Sequence, residues 1–162
     1  MKIDTIYFAK VNSGGIIPQK RDEDAGYDFY PNFEEESMII KQNEIKLIPT
    51  GIATAFHNNY VFIVKERSST GSRGMSVRMG VIDSGYRGEI IIGINNTNCK
   101  PIIITKNKNF KDENYIIYPY DKAIAQGILV PIPKMKTQEV TYDELLAFTS
   151  ERQKSSLGAS GK

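Results

Sequence analysis

Gly, Pro and Asn punctuation cuts this chain into short apolar, β-branched stretches, and that spacing limits its folds more than any other feature. The stretches are residues 3–9, 37–41, 45–48, 52–56, 60–64, 90–94, 102–105, 115–118, 124–132 and 138–141. Breaks such as Pro49-Thr50-Gly51, His57-Asn58-Asn59 and Asn95-Asn96-Thr97-Asn98 separate them. Strands of this length between turn formers build an all-β sandwich or barrel, not βαβ units. Helix has one good start signal. Thr141-Tyr142-Asp143-Glu144 has the pattern of a capping box, with Val140 and Leu145 spaced for a hydrophobic staple. The expectation is an all-β fold with at most one short helix.

With 162 residues the chain makes one domain around a single core. A net charge of +2, with 25% charged residues, argues against a broad electrostatic footprint for nucleic acid or an anionic membrane. It leaves room for a small anionic ligand, because a few local Arg residues bind phosphate without biasing the whole chain. Cys99 is the single cysteine, so no intramolecular disulfide forms. With charges at Lys2 and Asp4 in place of an apolar signal core, it points to a reducing, cytoplasmic setting. No apolar run reaches transmembrane length. His57 is the only histidine, which argues against a zinc site or a His-based triad.

Gly80-Val81-Ile82-Asp83-Ser84-Gly85-Tyr86-Arg87-Gly88-Glu89-Ile90 concentrates the chemistry. Asp-Ser-Gly supplies a turn between apolar flanks, so the segment reads as a β-hairpin presenting a carboxylate and a phenol ring. Two uses fit those side chains. Asp83 and Tyr86 line a pocket, or Asp83 bonds its own backbone and Tyr86 packs across the strands.

Five motifs in chain order resemble those of the trimeric dUTP diphosphatase (dUTPase) family. They are Asp24-Ala25-Gly26-Tyr27-Asp28, Arg67-Ser68-Ser69, the stretch from Gly80 to Gly88, Ala123-Ile124-Ala125-Gln126, and Arg152 followed by Ser155-Ser156-Leu157-Gly158-Ala159-Ser160-Gly161. The resemblance implies a jelly-roll-like homotrimer with shared active sites, built from a β domain over residues 1–151 and a flexible C-terminal lid over 152–162. It also implies Mg²⁺-dependent hydrolysis of dUTP to dUMP and pyrophosphate. In that scheme Asp83 is the general base for the attacking water, and Tyr86 lies flat on the deoxyribose, leaving no room for a 2′-hydroxyl. Gly80, Val81 and Ile82 line the pocket, and the backbone of residues 89–92, Ile91 among them, reads uracil. Arg67, Ser68, Ser69 and Gln126 hold phosphate oxygens, the first three as a nest of donors at a strand end. Asp28 holds Mg²⁺ through water, or instead pairs with an Arg. Arg152, Leu157, Gly158 and Ser160 close over the nucleotide.

Three positions depart from the family pattern: Ser69 replaces Gly, Ala123 replaces an Arg three before the Gln, and Leu157 replaces a Phe that stacks on the base. Phe110, in the polar insertion 106–114, is a candidate substitute for that Phe. Two alternatives share the pattern, a dCTP deaminase relative and a noncatalytic dUTP-sensing β-sandwich interaction module.

Overall fold

Alternating burial turns the apolar stretches into strands that share one core. The computed structural model describes residues 1–150. Twelve strands run in the order β1 (Tyr7–Lys10), β2 (Tyr27–Phe29), β3 (Ser37–Ile40), β4 (Ile45–Pro49), β5 (Ile52–Ala55), β6 (Tyr60–Lys65), β7 (Met75–Arg78), β8 (Val81–Ile82), β9 (Ile91–Asn96), β10 (Ile102–Thr105), β11 (Ile116–Pro119) and β12 (Ala125–Pro131). They form four sheets, ordered β1-β5, β11-β10-β3, β2-β12-β6-β8 and β4-β9-β7. Every pairing is antiparallel except β10 with β11. The architecture is all-β and jelly-roll-like.

Central position explains why β10 is apolar along Ile102, Ile103 and Ile104 and buried through Thr105. It lies between β11 and β3, and all four of its residues are buried. By contrast, β5 alternates, with Ile52 and Thr54 turned inward. Phe29 and Phe62 are fully buried with ring centroids 5.9 Å apart, and Phe8 and Phe56 close around Phe62 at 6.2 and 6.0 Å. These edge-on and tilted contacts suit the ring quadrupoles. Gly127, on β12, makes this packing possible, since a Cβ there would collide with the Phe62 ring and come within 3.0 Å of Phe29. Gly127→Ala is therefore expected to cost about 1–3 kcal/mol through overpacking. The check is the thermal unfolding midpoint, and an unchanged midpoint would mean that the rings yield freely.

The structure corrects the sequence reading at several points. Two short helices are present, α1 (Ser68–Gly71) and α2 (Tyr142–Ala147). The capping box predicted at Thr141 is formed, with Glu144 N donating to Thr141 Oγ1 at 3.2 Å and Thr141 N to Glu144 Oε2 at 2.7 Å. α1 had no counterpart in the sequence reading, which placed Arg67, Ser68 and Ser69 as a nest of donors at a strand end. Thr70, fully buried, takes the Arg67 N–H on its hydroxyl and returns that hydroxyl to the Arg67 carbonyl, both at 3.0 Å, which winds the segment. Residues 138–141 form no strand and lead into α2. Three short strands, β2, β7 and β8, had no counterpart among the apolar stretches.

The hairpin expected at residues 80–90 is not one. β8 pairs with β6, whereas β9 pairs with β4 and β7, so the turn carries the chain from one sheet to another. The physical reason is the wider anchoring of its exit. Ile90 is fully buried, its N–H donates to Ile52 O at 2.7 Å, and its carbonyl accepts from Thr50 Oγ1 at 2.7 Å.

Candidate active site

Main-chain bonds build the turn that carries Asp83. Tyr86 N donates to Asp83 O at 3.0 Å, and the Arg87 guanidinium donates to the Ser84 and Tyr86 carbonyls, both at 2.7 Å. The Asp83 side chain is left exposed, with no ion-pair partner among the described residues. Tyr86 Oη donates to Glu89 O at 3.0 Å, fixing a ring that stays 45% exposed. A ring so exposed and held by its hydroxyl is not a core filler. Glu89 is tied down in turn, its Oε1 accepting from Gly51 N at 2.6 Å.

Gly80, Val81, Ile82, Asp83, Tyr86 and Ile91 line one cleft of about 540 Å³, together with Met79 and Glu89. The fold brings the first six, all named from the sequence, into one cleft and adds Met79, which the sequence reading did not name. Met79 holds a left-handed φ of 60° and is 62% exposed. The backbone expected to read a base is narrower than residues 89–92. Both main-chain groups of Ile90 are already bonded, and Glu89 O is taken by Tyr86. What remains is the edge of β9 at Ile91 and Ile92, where β4 pairs on one side and β7 begins only at Gly93. Phe110 does not reach this cleft. It packs on Tyr115, with centroids 6.1 Å apart, beside Lys106 and Tyr120 in a separate small pocket.

Arg67, Ser68, Ser69, Gln126 and Asp28 line a second, larger cleft of about 950 Å³. Arg67 precedes α1, at the end of β6, and its Nε donates to Asp28 Oδ1 at 2.8 Å while Nη1 lies 3.5 Å from Ser69 Oγ. Asp28 therefore carries an arginine, the structural role left open for it in the sequence. Gln126 faces Asp28 across the β12–β2 ladder, and its Nε2 donates to Glu66 O at 2.8 Å. Its amide oxygen lies where a Cβ on Gly26 would come within 2.5 Å, so that glycine lets β2 approach. Ser69 lies inside the α1 turn and has no positive φ, so replacing Gly there strains nothing.

Burial tends to raise the Glu66 carboxyl. The backbone N–H groups of Glu66 and Val77 and the Lys65 ammonium outweigh it and hold the group below the usual carboxylate range. That anchors the chain just before Arg67, since Glu66 Oε1 accepts from Val77 N at 2.7 Å. Behind α1, burial pushes the Tyr118 phenol up, opposed by the Arg67 and Arg73 guanidinium groups. Its hydroxyl donates to Ala123 O at 2.6 Å. Ala123 is buried and precedes β12, so Lys122 is not a strand residue at all and is exposed.

Sequence reasoning missed Lys10, Lys20 and Arg21 in this cleft. The doublet at Lys20 and Arg21, directly before an acidic run, was a visible signal; nothing marked Lys10. Arg152, Leu157, Gly158 and Ser160 lie outside the described residues. Among the described residues no cluster of three or more His, Cys, Asp or Glu side chains could hold a metal, and no helix is long and apolar enough to cross a membrane.

The dUTPase family model matches residues 12–161. A deoxyuridine 5′-triphosphate nucleotidohydrolase of Gloeobacter violaceus is 32% identical over 141 residues, covering 85% of this chain and 83% of its own. One from Chlamydia pneumoniae is 34% identical over 147 residues, covering 88% and 90%. The Pol polyprotein of an ovine maedi visna related virus is 35% identical over 108 residues; the match takes in 67% of this chain but spans only 10% of the polyprotein. Among solved structures, a dUTPase of Staphylococcus bacteriophage 80alpha with dUpNHpp superposes with a TM-score of 0.76 at 25% identity, covering 98% of this chain and 99% of that one. The match spans most of the chain, with all of the smaller cleft and all of the larger one but Lys10, and on that ground the chain belongs to the dUTPase family.

Proposed function

We propose that the protein hydrolyses dUTP to dUMP and pyrophosphate. The observation that carries this reading is the exposed Asp83 carboxylate, without an ion-pair partner among the described residues, beside the fixed Tyr86 ring, on a chain whose other cleft offers Arg67 and Gln126. Asp83 accepts a proton from water as that water attacks the α-phosphorus. The bond from the α-phosphorus to its bridging oxygen breaks, and pyrophosphate leaves with the electron pair. Arg67, with Ser68, Ser69 and Gln126, stabilises the charge that develops on the phosphate oxygens. Ile91 presents the free edge of β9 to uracil. Cytosine, with a donor where uracil has an acceptor, leaves a buried group unpaired there. Arg152 is assigned to the γ-phosphate, and Leu157, Gly158 and Ser160 to closing the site. The single cysteine supports a cytoplasmic setting.

Mg²⁺ fits this chain only in a hydrated form brought by the nucleotide. Asp24 and Asp28 line the cleft, but Arg21 engages both oxygens of Asp24 while Arg67 meets only Oδ1 of Asp28, so Asp28 would offer its second oxygen to metal-bound waters and the pair makes no cage. When bound, the ion neutralises phosphate charge.

The two clefts share no lining residue. That supports a homotrimer in which the base-and-sugar cleft of one subunit meets the phosphate cleft of another. The test is pyrophosphate release from dUTP by the purified protein. Binding without release makes it a sensor, and ammonia from dCTP makes it a deaminase. Tyr86→Ala is expected to raise the UTP-to-dUTP ratio of kcat/KM, because removing the ring removes the clash with a 2′-hydroxyl. Equal losses on both substrates would place sugar selection elsewhere.

A further inference from the structure

The cleft beside α1 holds more positive charge than its own carboxylates neutralise. Lys10, Lys20, Arg21 and Arg67 line it, against Asp24 and Asp28. Both carboxylates are engaged, Asp24 by Arg21 and Asp28 by Arg67, each at 2.8 Å. Lys10 and Lys20 have no carboxylate within ion-pair distance among the described residues. By count the cleft keeps a net +2, as much as the whole chain, with Lys20 also within electrostatic reach of Asp24. Such a local excess serves a polyanion, not a general surface field.

The two lysines reach the cleft from different parts of the fold. Lys10 closes β1, opposite Ile52 of β5, and is exposed. Lys20 lies ahead of β2, with Nζ 5.7 Å from the Tyr27 ring centroid and 3.3 Å from Arg21 O. Those contacts are weak for an ammonium, and a phosphate oxygen makes a stronger, charge-assisted one. Lysine also suits this task, being a mobile point charge that follows a flexible polyphosphate where a guanidinium fork demands fixed geometry. Lys122 is exposed and does not line the cleft, and Ala123 brings no charge, so the region before Gln126 adds no cation.

We propose that Lys10 and Lys20 form a second phosphate-binding pair that, with Arg67, holds the polyphosphate chain of the nucleotide. This rests on the hydrolase reading above but concerns different residues. The test measures affinity along the series dUMP, dUDP and the analogue dUpNHpp, and for inorganic tripolyphosphate, in the wild type, Lys10→Gln, Lys20→Gln and the double variant. The expected result is dUMP binding unchanged, and dUpNHpp and tripolyphosphate weakened about tenfold or more for each lysine removed, the scale of a charge-assisted bond. The dependence of log affinity on log salt becomes shallower in each Gln variant, and Lys10→Arg and Lys20→Arg, which keep the charge but not its mobility, restore part of the loss. A merely structural lysine would weaken dUMP as much as dUpNHpp, and that outcome, or no loss with either, overturns the proposal. If tripolyphosphate binding depends on the lysines while dUTP is not turned over, the pair stands and the hydrolase reading falls.

Discussion

Asp83→Asn is expected to lower the turnover of dUTP by about 10²–10⁴-fold, the share a positioned general base contributes. The fold should survive, because the turn is made by main-chain atoms, Tyr86 N to Asp83 O and Arg87 to two carbonyls, and Asn serves a turn as well as Asp. The side chain itself has no ion pair to lose among the described residues. Affinity for dUpNHpp should therefore stay near that of the wild type, separating a chemical loss from a binding loss. Single-turnover hydrolysis is the measurement, and a near-normal rate would remove Asp83 from the mechanism.

Arg67→Ala should cost about 10²–10³-fold in kcat, comparable to removing a preorganised donor from a developing charge. The helical turn it precedes should persist, since Arg67 contributes only its N–H and carbonyl to Thr70 and an alanine keeps both. Losing the Asp28 pair should cost stability under about 1 kcal/mol, because both side chains are about a third exposed, 32% and 29%, and solvent screens them. Arg67→Lys should rescue little, as an ammonium cannot meet Asp28 with a fixed Nε and still direct a second nitrogen past Ser69. The sharper measurement mixes the two inactive variants. If the base-and-sugar cleft of one subunit works with the phosphate cleft of another, subunit exchange between Asp83→Asn and Arg67→Ala chains creates some sites with both residues intact. Activity should reappear on mixing. A mixture as inactive as its parts would place both residues of a working site on the same chain.

Periodicity and punctuation determined most of the framework. Ile102–Thr105 reads as a strand and is one, because a central position buries both faces and demands continuous apolar side chains. The capped α2 was legible for a local reason, Thr141 and Glu144 satisfying each other's main-chain donors without outside help. β2 was not legible, because three residues are too short for a period and it exists only because β12 offers it a partner. β8 was legible as one arm of a hairpin, but its partner is β6 and not β9. α1 was missed because its cap is an arginine backbone bonded to a buried threonine, and burial is not a local property.

The same division runs through the site. The sequence by itself singled out Asp83, Tyr86, Arg67 and Gln126 as candidates, since they stand in motifs whose turn and strand context is local. It could not determine how they are grouped. Only the tertiary structure decided that Asp28 carries Arg67, that the turn at Asp83 joins two sheets, that Phe110 lines another pocket, and that Lys10 and Lys20 line the same cleft as Arg67. Each of these is a long-range pairing, fixed by the sheet an edge joins and by the core that side chains share. A residue's own neighbours in the chain carry no record of it.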